Sequence, residues 1–334
     1  MNKVLTIVVP VYNTEQYLSK CLDSLIVKEN KELIEVLVVI DGSPDNSLQI
    51  ATEYSLKYPD LFRVINKENG GHGSCCNRGI QEAKGKYIKF LDSDDWFELE
   101  TLSYLIHYLK NVDVDVFFTK SVKELIYENR TQNYGCNFNY SNEIICIEDL
   151  EIPIDTNYPH FFTLADCGFK TNMLHNLKIT FSEKCSFDDT FLYFAPFINT
   201  KKILFINKIL YHYLIGRSEQ SIISLSPLKY HQKAQEYIKC LKVCNQFNDT
   251  ISQNIKLYVK NFAGILIDNC YFSIFNSQNE IQKQLYIDLQ NTIKKNSLLS
   301  QSSSKYHYLL KYIPFYIAKL LYTIRKAVKE VVKR

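Results

Sequence analysis

The sequence predicts a doubly wound α/β domain followed by a helical region, and three observations carry that expectation. Apolar runs of strand length alternate with helical patterns from the first residues; those runs are apolar almost throughout, with no strict alternation; and after Pro227 the periodicity is helical to the end. Strands buried on both faces and separated by helices of about 10–15 residues form a parallel sheet covered on both sides. Ligands of such a sheet bind at the carboxyl ends of its strands.

In order, strands are expected at Val4–Val11, Ile34–Ile40, Phe62–Ile65 and Tyr87–Leu91, with helices at Glu15–Ile26, Asn46–Lys57 and Ser74–Ala83 between them. From Glu98 the pattern loosens into a helix at Leu99–Leu109, a β-branched strand at Val112–Thr119 and a polar, Asn- and Tyr-rich stretch at Glu128–Asn142. Long helical periods follow at Leu228–Phe247, Ile251–Phe275 and Glu280–Lys295, then a Ser-rich link at Ser297–Ser304 and a basic tail. No internal repeat interrupts this order.

With 46% apolar and 22% charged residues, a chain of 334 residues buries a real core, which excludes wholesale disorder. The net charge of +3 is too small to indicate nucleic-acid binding, yet residues 305–334 hold eight Lys/Arg against one Glu, so the tail carries +7 and the rest −4. Ten cysteines scattered without a CxxC pair fit free thiols in a reducing cytosol better than a disulfide scaffold. The amino-terminal MNKVLTIVVPVYN reads as a buried strand and not a signal peptide, because Pro10 interrupts it and no small-residue cleavage site follows. No stretch reaches the roughly 18 apolar residues of a spanning helix. The expected protein is soluble or peripheral.

Four successive strand ends carry polar residues: VVPVYN at 8–13, DGSPDNS at 41–47, NGGHGS at 69–74 and LDSDDW at 91–96. Carboxylates crowded at one sheet edge repel unless a cation joins them, and Asp92, Asp94 and Asp95 form such a crowd. Hard oxygen ligands with open positions favour Mg or Mn, which also bind a diphosphate. The plainer alternative is that LDSDDW caps the helix from Leu99 and DGSPDNS caps the one from Leu48. Glycines in the segment NGGHGSCCNRG at 69–79 suit a backbone that approaches a ligand closely, though no Gly-Lys-Ser/Thr follows to make a P-loop.

Taken in order, VVPVYN, VVIDGSPDNS, KENGGHGSCCNRGI and AKGKYIKFLDSDDW resemble family 2 glycosyltransferases of the GT-A fold. The resemblance is dense over about the first 110 residues and continues through FSEKCSFDDTFL and LYHYLIGRSEQSI to about residue 224. It implies a GT-A domain over 1–225, with a nucleotide-sugar half at 1–110 and an acceptor half at 111–225. A helical region at 226–300 and an amphipathic tail helix at 305–334 complete the expected organisation.

Residue roles follow from the resemblance. Pro10 and Tyr12 line the nucleobase pocket, and Asp41 accepts a hydrogen bond from base or ribose. Asn69, Gly70 and Ser93 belong to the donor pocket. Asp92 and Asp94 fill the DxD motif that holds a divalent ion, Mn or Mg, against the donor's phosphates; His212 is a further candidate metal ligand. Many relatives carry Ala-Arg-Asn where this chain has Cys75-Cys76-Asn77, and Arg78 supplies the charge one position later. Asp188-Asp189 matches the family's Glu-Asp pair, with Asp189 the expected general base of an inverting transfer and Asp188 in the Glu position; the alternative for Asp189 is an N-cap before Phe191. Arg217, beside Gln220 and Ser221, suits a diphosphate clamp through its planar fork.

In the tail, Ile317, Leu320, Leu321, Ile324, Val328, Val331 and Val332 recur at helical spacing with Lys319, Lys326, Lys329 and Lys333 largely opposite. A basic amphipathic helix of this kind lies in an anionic membrane interface or packs on the enzyme's own body or a partner. The expectation is an inverting transfer of a hexose or N-acetylhexosamine from a UDP-sugar to a lipid-linked saccharide, at the inner face of a bacterial plasma membrane. Two alternatives stand beside it. A sugar nucleotidyltransferase would normally place a Gly-rich, basic loop after its first strand, where this chain has VYNTEQY. A non-catalytic glycan- or membrane-binding protein would not need Asp92, Asp94 and Asp189 intact.

Overall fold

The computed structural model describes residues 3–135, 138, 140–151, 163–177, 180–185, 189–193, 195–217, 225–244, 252–300, 304, 310 and 312–332. The chain divides into two compact units, 1–220 and 221–334.

The first unit is built on one mixed sheet. Its leading strands are β1 (Leu5–Val11), β2 (Ile34–Asp41), β3 (Phe62–Lys67) and β4 (Tyr87–Phe90), joined by α1 (Glu15–Asp23), α2 (Ser47–Lys57) and α3 (His72–Glu82). Every residue of β1 and β2 is buried; all are apolar except Thr6, Glu35 and Asp41, and Thr6 Oγ1 donates to Glu35 at 2.7 Å. Leu5, Ile7, Val9, Val36 and Val38 meet Leu18, Leu22 and Leu105 in one core, where each buried side chain contributes about 1.5–3 kcal/mol.

Further strands extend the sheet: β5 (Trp96–Phe97), β6 (Val116–Leu125), β7 (Arg130–Tyr134), β8 (Glu143–Cys146), β9 (Cys167–Lys170) and β10 (Lys202–Ile215), with α4 (Leu99–Lys110) after β5 and α5 (Thr171–Asn176) after β9. The order is β3-β2-β1-β4-β9-β6-β10-β5, with β7 beside β6 and β8 beside β10. β3, β2, β1 and β4 run parallel, whereas β9 is antiparallel to both β4 and β6. The chain therefore winds outward from β1 in both directions, and the crevice at the carboxyl ends of β1 and β4 is the ligand position of this architecture. Pro10 cannot continue the pairing there: Val8 accepts from Leu91 on the β4 side, and the absent N–H of Pro10 faces the same side beyond the end of that ladder.

The strand expected at Val112–Thr119 lies further along, at Val116–Leu125. Val112 and Val114 are used differently. The Val112 carbonyl accepts from Lys86 Nζ and Tyr87 Oη, and the Val114 N–H donates to Tyr87 Oη.

In the second unit, α6 (Pro227–Val243), α7 (Gln253–Asn276), α8 (Asn279–Lys294), α9 (Ser297–Ser300) and α10 (Phe315–Val332) follow in order. Ser226 and Ser252 cap α6 and α7 by accepting from Lys229 and Ile255 N–H. Buried residues on nearly every side of α7 explain its weak amphipathic pattern. Tyr286 on α8 donates to the carbonyls of Leu310 and Ile313 and so fixes the entry to α10. No helix among the described residues is long and apolar enough to cross a membrane.

Candidate functional site

The four polar segments meet at the carboxyl edge of the parallel strands. Two cross-contacts order the loops after β1 and β2. Asp45 accepts from Glu15 N–H and Ser47 N–H, while Glu15 accepts from the Asn46 backbone and side-chain amides. Capping is thus part of what DGSPDNS does, but it falls to Asp45. Pro10 is buried and Tyr12 is exposed at the rim.

Asp41, 2% exposed, organises the glycine loop. One carboxylate oxygen accepts from Lys67 Nζ at 2.6 Å and Gly70 N–H at 2.8 Å, and the other from Gly71 N–H at 2.7 Å. Asn69 donates its side-chain amide to the Asp41 carbonyl. A carboxylate has about four acceptor sites, so three donors leave it room for one more. Gly71 adopts φ +85°, and a Cβ there would stand 3.0 Å from Lys184 N, so both backbone and space call for glycine. The Gly70 carbonyl accepts from Lys184 N–H at 2.6 Å, which brings the segment leading to Asp188-Asp189 against the loop.

The acidic turn after β4 is not the cap of α4. The capping position is Glu98, and no side chain caps there. Instead Asp95, 1% exposed, accepts from Tyr211 Oη at 2.6 Å and Leu214 N–H at 2.8 Å. The same Tyr211 oxygen accepts from Asp92 N–H at 3.2 Å, so one hydroxyl pins both ends of the turn. Ser93 is buried and accepts from Thr14 Oγ1, tying the turn to the start of α1.

These anchors leave Asp92 and Asp94 available. The Asp92 side chain is 46% exposed, with His72 Nε2 3.4 Å away. Asp94 is largely buried and pairs with Arg217 Nε at 2.6 Å. Burial, reinforced by the charge of Asp92, pushes the Asp94 carboxyl up to about 6 against the pull of Arg217. Burial and then its two acidic neighbours also push Asp95 well above the usual carboxylate range. The turn is short of positive charge, and Arg217 supplies part of what it lacks.

His212 alternates with Tyr211 onto the other face of β10. Its Nδ1 lies 2.8 Å from Glu124, and its ring stacks on Trp96, whose ring also carries Lys20 Nζ at 3.0 Å. Arg78 pairs with Glu82 one turn along α3. Asp189 is half-buried at the start of a 3₁₀ turn, where its carbonyl accepts from Leu192 N–H, a position that serves a cap or a base equally well. Asp188, Gln220 and Ser221 lie outside the described residues.

Several positioning residues carry no local sequence signal. Asn77 makes a double hydrogen bond to the Phe181 backbone, donating at 3.0 Å and accepting at 2.9 Å. Lys89, fully buried in β4, donates to the Ala165 and Cys167 carbonyls, and burial lowers its ammonium to about 8. Asp166 beside it accepts from Ser121 and Thr163 hydroxyls and is pushed up to about 6 by burial.

Residues 6–163 match the profile of glycosyl transferase family 2. Glycosyltransferase GlyG of Streptococcus pneumoniae serotype 4 is 31% identical over 223 residues, covering 64% of this chain and 71% of that protein. Poly(ribitol-phosphate) beta-glucosyltransferase of Bacillus spizizenii is 31% identical over 245 residues, 71% of this chain and 37% of its own length. The chain spans less than two thirds of the length of several such relatives. Among solved structures, S. aureus TarS 1–349 in complex with UDP-GlcNAc shares the fold, with a TM-score of 0.56, 21% identity and coverage of 86% of this chain and 89% of that one. A mannosyltransferase from Pyrobaculum calidifontis in complex with GDP-Man and Mn2+ aligns over 100% of this chain and 88% of that one, at a TM-score of 0.51 and 15% identity. With the doubly wound mixed sheet in place and these relatives matched, this chain belongs to glycosyl transferase family 2.

Proposed function

We propose that the protein is an inverting, divalent-metal-dependent glycosyltransferase that moves a hexose or N-acetylhexosamine from a UDP-sugar to a saccharide acceptor. The acceptor is a lipid-linked glycan of a bacterial surface polysaccharide, met at the inner face of the plasma membrane. The observation that carries this reading is the acidic turn itself: Asp95 is spent on Tyr211 and Leu214, while Asp92 and Asp94 stay together at the crevice with a deficit of positive charge.

Two carboxylates with hard oxygens fit Mn or Mg. Among the described residues no three His, Cys, Asp or Glu converge on a metal position, and Asp92 and Asp94 would be the two carboxylates that hold such an ion. When bound, it would neutralise charge developing on the departing nucleoside diphosphate. Gly70 and Gly71, fixed by Asp41, let the backbone approach the donor, with Pro10 and Tyr12 flanking the base. Arg217, paired here with Asp94, has the planar fork that would suit the donor's diphosphate. Asp189 takes the proton from the attacking acceptor hydroxyl, and Asp188 stands beside it in sequence. TarS and the mannosyltransferase, solved with UDP-GlcNAc and with GDP-Man and Mn2+, support a nucleotide-sugar donor by analogy.

The test is a donor screen: purified protein, Mn(II) and a panel of UDP-, GDP-, CDP- and dTDP-sugars, following nucleotide release. Release from a UDP-sugar, abolished by chelator, is the expected result. Release from another donor class would overturn the UDP assignment, and silence combined with no nucleotide binding would favour a non-catalytic protein.

A further inference from the structure

The last helix, α10, has two apolar faces, and its own unit uses one of them. Phe315 and Ala318 are buried. Tyr322 stacks on Phe275 at 4.9 Å and accepts from Asn276 Nδ2 at 2.6 Å. At 3.6 residues per turn these three positions share one side of the helix, and Ile317, Leu320, Leu321 and Ile324 occupy the opposite side. That outer row is 51%, 59%, 47% and 52% exposed, with Tyr316 beside it at 68%. A helix already docked through one face has no folding requirement for a second apolar face, and an exposed apolar row of this kind marks an interaction surface.

Charge selects the occupant. Arg325 is exposed beside the row on one side, Lys283 Nζ lies 5.5 Å from the Tyr316 ring on the other, and residues 305–334 hold eight Lys/Arg against one Glu. A symmetric pairing of two copies through this face would bring basic residue against basic residue, an unfavourable isologous contact. An anionic lipid surface relieves the same charge, and tyrosines at the edge of an apolar row suit the headgroup region. We propose that the outer face of α10 is a lipid-contacting surface that lies in the interface of a bilayer bearing anionic headgroups. Its biological role rests on the membrane-linked acceptor proposed above; its geometry does not.

The experiment compares the full chain with the triple variant Ile317→Ser, Leu321→Ser, Ile324→Ser, which leaves the inner contacts of α10 untouched. The wild type is expected to cosediment with vesicles containing phosphatidylglycerol and far less with pure phosphatidylcholine vesicles, and the variant's partitioning to fall about tenfold or more. Wild type remaining in the supernatant, or a variant that pellets as well as wild type, would overturn the proposal. So would sedimentation velocity without vesicles showing a wild-type dimer that the variant converts to monomer, which would assign the face to a second copy. UDP binding measured on the same samples reports the transferase reading separately and should be equal in both proteins.

Discussion

Arg217 Nε lies 2.6 Å from Asp94 Oδ2, and this pair links the end of β10 to the acidic turn after β4. Removal of the guanidinium would leave Asp94 largely buried beside Asp92 with its main cationic partner gone. Arg217→Ala should therefore destabilise the metal-free protein by about 2 kcal/mol, and Mn(II) should raise its melting temperature more than it raises that of the wild type. Thermal melts with and without Mn(II) check this; an equal metal response in the two proteins would separate Arg217 from the metal position.

Tyr211→Phe removes the hydroxyl that donates to Asp95 and accepts from Asp92 N–H. The ring stays in the core against Phe97. We expect a stability loss of about 1–3 kcal/mol and a clear loss of Mn(II)-dependent UDP affinity, read by calorimetry. Unchanged affinity would show that the turn holds its shape without this anchor.

Asp189→Asn should leave donor binding nearly intact while slowing transfer to acceptor by about 10²–10⁴-fold, the usual size of a general-base contribution. Full transfer activity in this variant would remove Asp189 as the base and return it to a capping role.

Asp166 tests the buried interior near Lys89. Its folded-state carboxyl is raised to about 6 from 3.8, so the folded protein holds this proton more tightly than the unfolded chain does. Stability should then fall as pH rises from about 4 to about 6, by at most about 3 kcal/mol from this group. Asp166→Asn should flatten that part of the profile. Denaturant melts of both proteins across this pH range give the comparison, and parallel profiles would contradict it.

The parallel half of the fold was legible because β1 and β2 are apolar at all but Thr6, Glu35 and the terminal Asp41, a pattern that a sheet covered on both faces explains. Its strand ends carried the site for the same reason: polar residues interrupt those runs abruptly at Asp41 and Asp92. The second half resisted because its pairing is non-local. β9 joins β4 to β6 through four residues, and β10 acquires its place from partners far away in sequence. Asn77 to Phe181 and Tyr211 to Asp95 are likewise contacts between distant segments, invisible to any local pattern. LDSDDW and DGSPDNS shared one local signature, and three-dimensional context separated them: Asp45 caps helices, whereas Asp95 anchors a turn and leaves Asp92 and Asp94 at the crevice.

The most direct test of the central claim, that Asp92 and Asp94 bind a nucleotide donor through a divalent ion, is calorimetric titration of UDP with Mn(II) and with chelator, for wild type and Asp94→Ala. The account predicts wild-type binding that weakens at least about tenfold on chelation and a variant that shows no Mn(II)-dependent component. Equal UDP affinity with and without Mn(II), or a variant that binds UDP with Mn(II) as tightly as the wild type, would contradict it.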